Sequence, residues 1–427
     1  MSKIKLKITG VFLFIITVIL LLQIDDDIDP KAQSMFEQAT SHKESKAYLY
    51  LFGMQAAIDE DPEVVGKALM ASVRDAEKRY FVNPRTNKYF GYVDYPSEKK
   101  LPLPELGTCK GNENKCEYID KLFSYQFDLE ALSAEQKTLL ERYNRFLSMK
   151  DLNTLPLPLL EAPLPPFQYI MKGNSLASLE AIAKARNGNI KEAKKQLLDE
   201  ISLLRFQLQR ADALVIKMIF TSALLKTLDV LSVLVHQYDS PMENNIQALS
   251  ADERSLVKAV NYEYAMGHYM FKALDRNSNF FNKDINVPGW LVRVLFKPNM
   301  TLNATFPVLR QIGQQSLLTS KEFALDVAGD KPTVKPKVSI RNYVGAVLGE
   351  VARPDFNEFV ERVFYLDAKI KLFNILSKKT KLPAMLSHIN NPFYENKTAY
   401  YSEDNKAICI EAPLLHKRKD YQCLRVK

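Results

Sequence analysis

From Ile201 to Val235 the chain reads ISLLRFQLQRADALVIKMIFTSALLKTLDVLSVLV, apolar at most positions around the helix it predicts. A helix this oily is stable only when other elements cover it, so it belongs at the centre of the packing. That requirement constrains the whole fold, because the flanking sequence has to supply elements able to surround it. Arg205, Gln209 and Asp212 recur at steps of four and three and share one face, with Arg210 next to Gln209. A buried charge without a partner is too costly to keep, which leaves two readings. These residues form an ion-pair network that fixes neighbouring helices, or they make the polar wall of a binding groove.

The flanks are helical in pattern. SLASLEAIAKARNGNIKEAKKQLLDEISLL (175–204) predicts helix, turn, helix, broken at Asn187-Gly188-Asn189, with the second helix starting near Ile190. KAYLYLFGMQAAI (46–58) and DEDPEVVGKALMASV (59–73) predict a helical hairpin bent at Ile58 and Asp59. Ser133 and Gln136 have capping-box spacing at the head of LSAEQKTLLERYNRFLSM (132–149), and Ser250 and Glu253 repeat it further on. FNEFVERVFYLDAKIKLFNIL (356–376) is again amphipathic. LPLPLLEAPLPPF (155–167) holds five prolines, which no helix or central strand survives, so it predicts a stiff connector. The tail alternates in TAYY, AICIEA and YQCLRV, the pattern of a small β element.

The expected fold class is therefore all-α (mainly α): irregular stacked helical hairpins, an N-terminal transmembrane helix, and a small disulfide-linked β element at the C-terminus. The expected organisation is a cytoplasmic stub (1–7), an anchor (8–24), a helical unit (31–150) with a long loop (81–116), and the proline-rich connector (155–167). A helical-hairpin core (170–275), a mixed helix and loop region (276–390) and the β element (391–427) follow.

The anchor is ITGVFLFIITVILLLQI (8–24), 17 residues with one clearly polar member, Gln23. As a helix it is about 26 Å long, at the short end of what crosses a bilayer. Lys3, Lys5 and Lys7 precede it, and Asp25, Asp26, Asp27 and Asp29 follow. Basic flanks stay on the cytoplasmic side, so the expected location is a single-pass inner-membrane protein with its N-terminus inside and its body periplasmic. A cleaved signal peptide shares the basic start and apolar core, but no small-residue cleavage site follows. Four cysteines agree with an oxidising compartment. Local pairing is favoured, Cys109 with Cys116 and Cys409 with Cys423, out of three possible connectivities.

Net charge is +8, of which three lysines belong to the stub, so the body carries no basic stripe and nucleic acid is excluded as a partner. No G-x-S-x-G, H-E-x-x-H, Walker loop or dinucleotide fingerprint occurs, and His42, His236, His268, His388 and His416 are dispersed. No catalytic, cofactor or metal residue can be named, and no cofactor is expected.

The 175–204 hairpin resembles one tetratricopeptide unit, whose second helix opens on G-x-x-x-E-A, here Gly188 to Ala193. No recurrence at that repeat's period of about 34 residues is found elsewhere. RFQLQRADALVIKM (205–218), LFKPNMTLN (295–303) and NPFYENKTAYY (391–401) resemble a group of uncharacterised proteobacterial proteins with an N-terminal anchor and an all-helical periplasmic body. That resemblance implies an envelope protein and supplies no activity. The expectation is a membrane-tethered extracytoplasmic scaffold that binds an envelope protein. Alternatives are an envelope hydrolase acting on cell wall or lipid, and an immunity or inhibitor protein against a toxin. Oligomeric state is left open.

Overall fold

The apolar run folds as two helices, Ile190–Arg210 and Leu214–Gln237, and the second is the packing centre of the molecule. The computed structural model describes residues 2–41, 44–82, 91–105, 118–276, 289–329, 339–351, 356–378, 386, 389–414 and 421–426. In chain order the helices are α1 (Ser2–Gln23), α2 (Pro30–Thr40), α3 (Lys46–Phe52), α4 (Pro62–Val82), α5 (Tyr118–Ser124), α6 (Ala134–Ser148), α7 (Gln168–Arg186), α8 (Ile190–Arg210) and α9 (Leu214–Gln237). They continue as α10 (Ala251–Arg254), α11 (Val257–Arg276), α12 (Gly289–Val294), α13 (Pro298–Gln315), α14 (Ser320–Ala328), α15 (Tyr343–Val351) and α16 (Asn357–Leu376). Strands β1 (Tyr400–Ser402), β2 (Ala407–Cys409) and β3 (Cys423–Arg425) close the chain. It is a largely helical protein with a small antiparallel sheet.

Packed against α9 are α7, α8, α11, α16 and β3. Its buried side chains, among them Phe220, Leu224, Leu225, Val230 and Val233, point in several directions around the helix. The α8–α9 break falls at 211–213, where Lys217 Nζ donates to the Leu208 carbonyl at 2.9 Å and closes the end of α8. Sequence periodicity runs through this break because both helices are apolar up to it.

The expected N-terminal transmembrane helix is corrected, and with it the fold class and the inner-membrane, periplasmic location drawn from it. Among the described residues, the one helix long and apolar enough to cross a membrane is α9, in mid-chain, and 72% of its most apolar stretch is buried inside the protein. Searching for an unbroken apolar run misses it, since Lys217, Lys226 and Asp229 interrupt a helix that is apolar on average. The aspartates that gave 8–24 its charged flank have another use. Asp25 accepts from the backbone N–H groups of Asn299 and Met300 at 2.8 and 3.1 Å, capping α13, which has no cap of its own at Lys297. Asp29 caps α2 through the Lys31 N–H. Two of the four flanking aspartates thus serve helix termini.

Long-range polar ties hold the remaining pieces. Arg142 of α6 donates to the carbonyls of Met54, Ala56, Ala57 and Glu60 at 2.6–3.2 Å, satisfying the irregular turn between α3 and α4. The proline-rich stretch is tied on two sides: the Leu157 N–H donates to Glu77 of α4 at 2.7 Å, and Thr154 donates to Asp212. In the sheet, ordered β1-β2-β3, Tyr401 faces Ile408 and Ile408 faces Leu424. Cys409 and Cys423 are cross-strand neighbours and are disulfide-bonded. The Arg425 N–H donates to Asp229 of α9, which also pairs with Lys369 of α16 at 2.7 Å, so the sheet is seated on the central helix.

Helix α3 stops at Phe52, short of Ile58, because Gly53 and Gly66 bring α3 and α4 almost into contact. A Cβ on Gly66 would lie 1.8 Å from the Leu49 carbonyl oxygen, and one on Gly53 2.0 Å from that of Pro62. Both obstacles are backbone, so a Gly66→Ala substitution has to push the helices apart. Overpacking of this kind costs about 1–3 kcal/mol. The expected outcome is a lower urea midpoint with unchanged slope; an unchanged midpoint would show that the crossing tolerates a methyl.

Candidate functional site

Among the described residues no group of three or more His, Cys, Asp or Glu side chains could hold a metal ion. His236 Nδ1 lies 2.8 Å from the Ser232 carbonyl of its own helix. His268 stacks on Phe36 with ring centroids 4.1 Å apart, and burial, reinforced by Lys272, lowers its pKa to about 4. His42, His388 and His416 lie outside the described residues, as do Cys109 and Cys116.

The four polar residues of the α8 end do not converge. Arg205 reaches Glu253 with Nε at 2.6 Å and Nη2 at 2.9 Å, and donates to the carbonyls of Gln247 and Ala248. Burial pushes the Glu253 carboxyl up, but the hydrogen bonds from Arg205 and Ser250 outweigh it and hold the group below its ordinary value. Gln209 donates to Asp252 at 3.4 Å, beside that pair on α10. Arg210 lies over the Phe206 ring, 5.8 Å from its centroid. Asp212 accepts from Thr154 N and Oγ1, at 3.0 and 2.6 Å.

A second polar cluster lies inside the helical stack. Tyr143 of α6 donates to Glu200 Oε1 of α8 at 2.6 Å, and Asn174 Nδ2 of α7 lies 3.0 Å from the same oxygen and 2.8 Å from Thr227 Oγ1 of α9. Four helices are thus joined through side chains that sequence reasoning did not single out. The other carboxyl oxygen, Glu200 Oε2, is buried without a hydrogen-bond partner among the described residues. An ionised carboxylate there would be an undercompensated buried charge, so burial raises the Glu200 pKa to about 7 despite the donors on Oε1. Burial raises Glu263 on α11 to about 7 as well.

Both shifts are upward, so the stability they carry is complete below about pH 4.5 and is lost as pH rises through about 7. For Glu200 the loss is on the order of 3 kcal/mol. Glu200→Gln keeps the shape and removes the titration. Thermal melts at pH 6 and pH 8 should therefore differ less in the variant than in the parent; equal differences would show that Glu200 does not titrate there.

At one pole of the molecule the polar arrangement frames an apolar face. Asn303 Nδ2 donates to the Asp27 carbonyl, and the Asp29 N–H donates to Asn303 Oδ1 at 2.9 Å. Arg341 Nη2 donates to the Ile24 carbonyl at 2.5 Å and lies 3.3 Å from Asp26 Oδ1. Arg341 belongs to a 3-10 turn, Ile340–Asn342, that leads into α15. Asn342 fastens that turn to α13, accepting from the Lys297 N–H at 2.8 Å and donating to Thr301 Oγ1 at 3.0 Å. Inward, α15 presents Gly345 and Gly349: a Cβ on Gly345 would fall 2.0 Å from Thr301 Oγ1, and one on Gly349 3.2 Å from the Thr305 methyl. Outward it presents Tyr343, Val347 and Val351, with Ile340 one turn before, all exposed; Ile340 and Val351 reach 83% and 81%. Most described apolar side chains of α1, including Val11, Leu13, Phe14, Leu20 and Leu21, are exposed too. The steps of four from Tyr343 to Val351, with glycines on the other side, are a readable signal for this face.

Compared with known proteins, the chain matches no family model, no curated protein and no solved structure. The resemblance to anchored proteobacterial proteins and the local tetratricopeptide likeness are accordingly corrected. No family model supports either, and the membrane-length helix stands in mid-chain, not before the helical body.

Proposed function

We propose that this chain is a membrane-associated helical scaffold that acts by binding a protein partner and performs no chemistry of its own. The observation that carries this reading is a division of labour among side chains. Charged groups such as Arg142, Arg205, Glu253, Asp229 and Lys369 are turned inward to partners within the fold. Large apolar side chains on α1 and α15 are left facing out. Solvent-facing apolar surface of that extent marks an interaction site with protein or lipid.

Flotation of the purified full-length chain with phosphatidylcholine vesicles tests the association. The expected result is recovery with the vesicles in the light fraction, and recovery in the dense soluble fraction would overturn it. The scaffold role predicts that photo-crosslinking in native membranes yields a hetero-complex of fixed stoichiometry. Crosslinks scattered over unrelated proteins in unfixed ratios would remove that role.

A further inference from the structure

The membrane-length helix α9 is enclosed by the rest of the fold, so contact with a bilayer has to be made by side chains on the outside. The geometry points to one face: we propose that Ile340, Tyr343, Val347 and Val351 form an interfacial patch on which the body rests against a lipid surface, α15 lying along the headgroups without crossing them. This inference rests on the membrane-association reading above.

Four observations select lipid as the occupant. The stripe is continuous in character, and adjacent in space, with the exposed apolar surface of α1. Arg341, in the turn that carries Ile340, holds the Ile24 carbonyl just beyond the end of α1. Three acids at this pole are turned to protein groups, Asp25 to the start of α13, Asp26 to Arg341 and Asp29 to the start of α2, so their charge is partly neutralised locally. The four stripe side chains carry no charge, although the exposed Glu350 lies on the same face of α15, and Tyr343 supplies the ring-plus-hydroxyl chemistry favoured at headgroup depth. Taken alone, four side chains on a nine-residue helix fall well short of the about 20–30 residues a side of a stable protein interface. A lipid surface needs no such complement. The inner face is what makes the patch rigid, because Gly345 and Gly349 seat α15 tightly on Thr301 and Thr305 of α13.

The four stripe side chains are uncharged, so hydrophobic insertion rather than charge attraction is the driving force and a zwitterionic lipid surface suffices. Binding through this face should therefore be insensitive to salt.

Two full-length variants, Val347→Trp and Val351→Trp, test it, each read as a difference spectrum against the parent protein. Both positions are exposed, so neither change disturbs the core, and circular dichroism checks this. With phosphatidylcholine vesicles the added indole should shift to the blue. Brominated chains should quench it most when the bromines lie about 5–10 Å below the headgroups, unchanged between low and high salt. If the protein floats but both indoles keep their aqueous emission, the patch is wrong and the association stands. If the protein does not float, the association itself fails. A blue shift that grows with protein concentration in the absence of vesicles, with a dimer mass by light scattering, would assign the face to a second copy and overturn the proposal.

Discussion

Enclosing α9 is the constraint on which the rest of the structure depends. A helix with apolar side chains on every side loses hydrophobic stabilisation wherever one side is left open, so its neighbours must arrive from several directions. They come from distant parts of the chain: α7 and α8 from just upstream, α16 from more than a hundred residues downstream, and β3 from the C-terminus. Several polar groups on α9 are held by partners, and each partner fixes a contact. Asp229 is the clearest case, since Lys369 and the Arg425 N–H both depend on it and both belong to elements that cover the helix.

Local chemistry was legible in the sequence where a few consecutive residues decide it. The capping boxes of Ser133 with Gln136 and Ser250 with Glu253 form as the spacing predicts. The Asn187–Asn189 turn separates α7 from α8, with Gly188 at φ 86°, and the tail forms a small sheet whose central and last strands are joined by Cys409 and Cys423. These signals act over a turn or two of chain.

What escaped depends on partners far away. The run of aspartates after residue 24 has one meaning read locally, as a membrane flank, and another once Asn299 and Met300 are beside it. Nothing near Asp25 in sequence announces an uncapped helix almost three hundred residues on. The Tyr143–Glu200–Asn174–Thr227 cluster is invisible for the same reason, each member being an ordinary polar residue on its own helix. The outer face of α15 was hidden differently. Its stripe is short, and its glycines look like helix breakers until the threonines of α13 show how closely α15 approaches, Gly345 above all.

The clasp between Asp25 and α13 also orders events in time. A carboxylate near the start of the chain waits on amides 274 and 275 positions later, so the first helix is fastened to the body only after some 300 residues have been synthesised. α2 meets α11 somewhat earlier, once Asn261 and His268 are there to receive Gln38 and Phe36, and the C-terminal sheet is seated on α9 later still. The earliest residues made therefore wait for partners from the second half of the chain.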